Sequence, residues 1–156
     1  LLRDPESGLY GPEMARLFMA TFGGSAPIGI VLVGFETTDG DGDRIGAEHR
    51  SATLTKLATR LREVLRPEEV LTLGMDDRLT ILIRNMSGDE IEPRAARLLS
   101  AARGLEQSQP GVSISVGAAC SRRGDTAFGP ALTRAQGALS EAQRAGCNRV
   151  VLARVA

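Results

Sequence analysis

Residues 71–83, LTLGMDDRLTILI, hold two runs of alternating apolar side chains around a polar centre. Leu71 and Leu73 alternate before the centre, and Leu79, Ile81 and Ile83 alternate after it. Successive side chains of a strand point to opposite faces, so the segment reads as a β-hairpin with a buried face. Its neighbours along the chain are helical. Upstream, Leu54, Leu57, Ala58, Leu61, Val64 and Leu65 form one stripe of a long helix, which Pro67 ends. Downstream, SGDEIEP (87–93) leads into a helix carrying Ala95, Leu98, Leu99 and Ala102.

The remaining segments continue the alternation. PEMARLFMATF (12–22) opens with Pro at a helix start, and Met14, Leu17, Phe18 and Phe22 recur at helical spacing. GGSAP breaks that helix. IGIVLVGF (28–35) is a short apolar run rich in β-branched residues, hence a buried strand. The loop at 36–46 is polar and glycine-rich. GVSISVGAAC (111–120) alternates as a strand, and SRRGDTAFGP is a surface loop. ALTRAQGALSEAQRAG (131–146) is a helix with Leu132, Ala135, Leu139 and Ala142 inward and Gly146 as a left-handed cap. RVVLA (149–153) is the last strand. The order α, β, α, β, β, α, β, α, β predicts an α/β (α+β) fold of the ferredoxin-like kind, with a central mixed sheet of about five strands flanked by helices. No internal repeat or long linker interrupts it, so residues 1–156 read as one domain. The chain does not begin with Met, which suggests a domain of something longer.

Composition narrows the function. Lys plus Arg equals Asp plus Glu at 19 each, which removes the electrostatic argument for non-specific nucleic-acid binding. Aromatics are 3% and Trp is absent, which argues against a base-stacking surface. Cys120 and Cys147 have neither metal-ligand spacing nor a disulfide framework, which fits a reducing, cytoplasmic setting. No apolar run is long enough to span a bilayer and no signal peptide is visible, so membrane contact by this domain is not expected. Asp39, Asp41 and Asp43 mimic part of a calcium loop, but Arg50 stands where its closing Glu belongs. His49, alone on a polar face, reads as a surface residue. Cys147 reads as inert. No cofactor is expected.

Three stretches resemble one family. RDPESGLYG (3–11) is similar to the D-x-L-T-G-L-x-N opening of GGDEF domains, the diguanylate cyclase family. SISVGAA (113–119) is similar to its S-I-G-V-A strand. AQGALSEAQRAGCNRV (135–150) resembles A-D-x-A-L-Y-x-A-K-x-x-G-R-N-R-V, and the register holds without a gap from 28 to 83. The resemblance implies a nucleotidyl-cyclase-type sheet. Active members condense two GTP molecules into cyclic di-GMP across two facing domains. That chemistry needs metal ions and fixed cations to hold the triphosphate and neutralise its charge.

In this register the parts are missing. The signature, including its Phe, falls on Met75, Asp76, Asp77, Arg78 and Leu79. Met-Asp replaces the glycine pair, Arg78 replaces a metal carboxylate, and Asp77 alone matches. The other metal carboxylate falls on Gly34. The guanine-binding Asn and Asp fall on Gly42 and Ser51, and the phosphate-gripping Lys and Arg fall on Gln143 and Cys147. Asn148 and Arg149 remain, and packing of the last strand explains them. Without the resemblance, Asp76 and Asp77 read as a polar hairpin tip. The expectation is a catalytically inactive, degenerate domain.

The family often carries a second, product-binding R-x-x-D site before the signature. The resemblance places it on Arg66 and Glu69, with Arg97, or else Arg94, on the following helix completing it. An arginine fork can pair with guanine O6 and N7 or with phosphate, and a carboxylate accepts from guanine N1 and N2. The bland alternative is a cation at a helix C-terminus and a solvated acid. The expected function is therefore a cyclic di-GMP receptor that relays its state to a partner protein or an attached domain, as a monomer or homodimer. Two alternatives stand beside it: a ligand-free docking or dimerisation module, and a residual cyclase with a metal site rearranged onto Glu36 with Asp76 or Asp77.

Overall fold

Val31, Val33 and Phe35 point to one side of a central strand, and Ile30 and Leu32 point to the other. Both sides are covered, which is why residues 28–35 carry a continuous apolar run. The computed structural model describes residues 3, 8–38, 46–74 and 78–153. Gly42, Met75, Asp76, Asp77 and the Asp39–Asp41–Asp43 loop lie outside the described residues. The elements are α1 (Pro12–Phe22), β1 (Gly29–Thr37), α2 (Ala47–Val64), β2 (Glu69–Leu73), β3 (Leu79–Ile83), α3 (Gly88–Ser108), β4 (Val112–Cys120), α4 (Gly129–Arg144) and β5 (Val150–Leu152). Their order is the one expected from the sequence.

The sheet runs β2-β3-β1-β4-β5. β1 is antiparallel to both β3 and β4, with Val31 opposite Ile81 and Ala118. β5 is parallel to β4. Elements β1 through β4 with α2 and α3 make the ferredoxin-like core, and α4–β5 extends it by one parallel strand. Leu57, Leu61, Ala95, Leu98 and Ala102 pack α2 and α3 on one face; Phe18, Met19, Ala135 and Leu139 pack α1 and α4 on the other. Each fully buried Leu or Ile here contributes about 1.5–3 kcal/mol.

Two glycines shape the α4 side. A Cβ on Gly117 would lie 2.2 Å from Leu139 N and 2.6 Å from Ala135 O, so only glycine lets α4 settle this close to β4. Gly146, with φ +108°, reverses the chain after α4, followed by Cys147 at +64° and Asn148 at +54°. Gly146 N donates to Gln143 O (3.3 Å) and Cys147 N to Ala142 O (3.0 Å), closing the helix end. Asn148 N then donates to Ile114 O (2.7 Å), which starts β5 beside β4.

Strand ends differ from the sequence reading by one or two residues, and two helix starts differ as well. α3 begins at Gly88, so Pro93 lies inside it rather than before it. Pro93 removes one N–H donor from the helix ladder. Asp89 and Glu90 in the first turn favour the helix start, and the Ser87 hydroxyl donates to Glu90 Oε1 at 2.9 Å. α4 starts at Gly129 with Pro130 in its first turn, two residues earlier than expected. No helix among the described residues is long and apolar enough to cross a membrane.

Candidate functional site

Alternation along β1 puts Gly34 on the same face as Ile30 and Leu32, toward α4. It is buried and pairs with Ser115 of β4. A Cβ at Gly34 would lie 3.0 Å from Gln143 Nε2 and 3.2 and 3.3 Å from the Leu139 methyls. Gly34 and Gln143, assigned by the resemblance to a metal ligand and a phosphate cation, are therefore neighbours. Together they offer one neutral amide, and a side chain at position 34 would need Gln143 and Leu139 to give way by a few tenths of an ångström. The Ser115 hydroxyl is buried beside them with no hydrogen-bond partner. Ser51 lies exposed near the start of α2, and Cys147 is half-buried in the turn after α4. Half-buried Arg78 closes the hairpin, its carbonyl accepting from Gly74 N at 2.7 Å. Its side chain lines a cavity on the α1/α4 face with Arg16.

A divalent cation needs several oxygen donors, and a cation beside it is repulsive. Among the described residues no group of three His, Cys, Asp or Glu side chains could hold a metal ion. Gly34, Gln143 and Arg78 thus do not fit the metal that cyclase chemistry requires.

The turn at Arg66–Glu69 is built differently. Leu65 leaves α2 with extended backbone, and Pro67 disfavours a helical Arg66. Glu69 N donates to Arg66 O (3.0 Å), and Arg66 N donates to Glu69 Oε1 (2.9 Å). Glu69 is buried, so it is not the solvated acid of the bland reading. Arg94 of α3, buried too, donates from Nε to Glu69 Oε2 (2.7 Å) and from a terminal nitrogen to Glu69 Oε1. The same terminal nitrogen donates to Val64 O (2.8 Å), the last carbonyl of α2. One two-pronged ion pair thus fastens α2, the turn, β2 and α3. Removing one partner of such a pair costs about 3–5 kcal/mol, because it strands a buried charge.

Arg66 and Arg97 are both exposed. Arg66 lines an open cavity of about 420 Å³ with Glu68, Arg84, Asn85 and Glu90; Arg97 is not among its lining residues. Arg84 lies 4.0 Å from the centre of the Phe22 ring, a cation–π contact that holds it in place. Arg84, Glu68 and Glu90 escaped the sequence reading, because β3 ends one residue before Arg84 and nothing in its spacing marks the cavity. His49 is exposed, as expected, with its Nε2 3.1 Å from Gln109 Nε2. Cys120, at the end of β4, is half-buried. Burial pushes its thiol up, against the pull of Arg134 and with a further push from Glu90.

The family profile described as "Diguanylate cyclase, GGDEF domain" matches residues 19–149. The chain belongs to the GGDEF domain family. Solved structures of similar fold include the GGDEF domain of DgcB from Caulobacter crescentus in complex with cyclic di-GMP, at 16% identity and TM-score 0.78, covering 98% of this chain and 93% of that one. A microbial GGDEF domain solved for its interaction with bis-(3′,5′)-cyclic di-GMP is 21% identical with TM-score 0.75, covering 97% and 96%. Diguanylate cyclase SiaD from Pseudomonas aeruginosa, in complex with its activator SiaC, is 20% identical with TM-score 0.75, covering 97% of this chain and 61% of that one. At these identities the likeness establishes the fold. No curated protein matches the sequence.

Proposed function

We propose that this GGDEF domain does not condense GTP and acts as a regulatory domain that receives cyclic di-GMP. The observation that carries the first half is the state of Gly34: no donor on the residue, and Leu139 and Gln143 packed tightly beside it. Among the described residues a triphosphate approaching there meets neither a metal site nor a phosphate clamp, and losing even one stabilising donor commonly costs about 10²–10³ in rate.

Support for the receptor comes from Arg66 and its surroundings. Arg66 and Arg84 supply forks for guanine O6 and N7 or phosphate, and Glu68 and Glu90 supply acceptors for guanine N1 and N2. Glu69 serves as a positioning residue, fixing the Arg66 turn through its bond to Arg66 N. Arg97 of α3 lies outside the lining of that cavity, and its part in the site rests on the family resemblance alone. Relatives bound to cyclic di-GMP agree with this ligand class. Occupancy shifts contacts with a partner protein or an attached domain only as far as the ligand prefers one state. The setting we infer is cytoplasmic, with residues 1–156 as a single domain of a larger signalling protein, able to pair as a homodimer.

A second reading, a ligand-free docking module, draws on the Glu69–Arg94 pair, since both carboxylate oxygens are engaged internally. The relative crystallised with its activator protein fits that class. Calorimetry with cyclic di-GMP separates the two. A Kd below about 10 μM, weakened at least tenfold by Arg66→Ala, supports the receptor. No heat from folded protein supports the docking module.

A further inference from the structure

On the α1/α4 face, against Leu32 of β1, a cavity of about 110 Å³ opens between α1, α4 and the β2–β3 hairpin. Leu32, Phe128 and Leu132 form an apolar wall, and the polar rim carries Arg16, Arg78 and Thr80. Among the described residues, no ion pair or side-chain hydrogen bond engages Arg16, Arg78 or the Thr80 hydroxyl. None of the described lining residues is acidic. Thr80 is buried as a residue yet lines the cavity.

We propose that this cavity is a binding site for a small carboxylate with a compact apolar body, gripped by Arg16 and Arg78. The volume is somewhat below the ~150 Å³ apolar cavity that accepts benzene, so the body is limited to a small ring or a short branched chain. Arginine forks match a carboxylate in two-pronged geometry, and a carboxylate held between two of them can accept from both. Free phosphate satisfies the arginines but leaves the apolar wall wet; an uncharged ring satisfies the wall but leaves the arginines unpaired. A carboxylate on an apolar body satisfies both. Arg78 is the residue that stands where the family's metal carboxylate falls, so the change that removes a metal ligand supplies a cation to this cavity. A bound carboxylate would tie α1, through Arg16, to the hairpin, through Arg78. The proposal does not rest on the cyclic di-GMP reading, whose cavity is lined by different residues.

The test titrates the whole chain with benzoate, benzamide and inorganic phosphate, reading the Leu32 and Leu132 methyl resonances by NMR. Benzoate is expected to shift both with a Kd near or below about 1 mM, a strength within reach of so small a ligand. Benzamide and phosphate are expected to bind at least about fivefold more weakly, since each satisfies half of the site. Arg16→Ala and Arg78→Ala, both outside the core, are each expected to weaken benzoate at least about fivefold. Leu132→Phe, which fills the cavity, is expected to abolish it. Unmoved methyls at about 20 mM benzoate, equal binding of benzamide or phosphate, or full binding by the Arg16→Ala/Arg78→Ala double variant would each overturn the proposal.

Discussion

Around Glu69 a carboxylate lies buried, with Arg94 on both oxygens and a backbone N–H on one of them. Around Gly34, the buried strand position assigned to the family's metal ligand, the neighbours are a glutamine amide, leucine methyls and an unpartnered serine hydroxyl. A buried charge persists only where it is paired, because unpaired it costs several kcal/mol. At Glu69 the fold itself supplies the partners and gains from them by joining two helices and a strand. At Gly34 a carboxylate would find two neutral donors, the Gln143 amide and the Ser115 hydroxyl, in place of an arginine. In a domain that does not condense GTP no metal is needed there, and packing favours the small residue. The first region therefore answers to stability and the second to chemistry, and substitutions at the two sites should separate accordingly.

The largest expected effect is at the ion pair. Glu69→Ala or Arg94→Ala should each destabilise the chain by about 3–5 kcal/mol in urea unfolding, whereas Glu69→Leu/Arg94→Met together should recover most of the loss. Equal losses for the single and paired changes would break the comparison. Next comes Gly34→Asp, which pushes a carboxylate against Leu139 and Gln143. We expect a loss of about 1–3 kcal/mol, with no gain of GTP turnover. A neutral or stabilising result would mean the region can still take a charge.

Smaller still are the exposed arginines. Arg66→Ala and Arg97→Ala should change unfolding stability by less than about 0.5 kcal/mol while weakening cyclic di-GMP about tenfold. A variant that loses stability instead would move that residue into the structural class. The smallest effect concerns Cys120. Burial raises its thiol, so its thiolate share at neutral pH is below that of a free thiol. Maleimide labelling should be slower than for a model thiol at neutral pH and should climb as pH approaches the raised value; labelling at the free-thiol rate contradicts the burial.

Much of the fold was legible because the period of the apolar pattern switches between helix and strand at each element. α3 was harder to bound, since Pro93 reads as a stop yet sits in its early turns. The Glu69–Arg94 pair joins residues 25 apart in sequence, so spacing alone could not pair them. A signal existed all the same. The alternation that turns Leu71 inward turns Glu69 inward as well, and Arg94 falls on the stripe of Ile91, Ala95 and Leu98. The same parity set Gly34 toward α4. The two cavities were not legible, because Arg16, Arg78 and Arg84 come from separate elements that meet only in three dimensions.

Incubation of the protein with GTP and Mg²⁺ or Mn²⁺, followed by chromatography, bears most directly on the claim that the Gly34 region has no place for a metal-bound triphosphate. The account predicts no cyclic di-GMP above background at any metal concentration. Dinucleotide product that disappears in an Asp76→Ala/Asp77→Ala variant would contradict it.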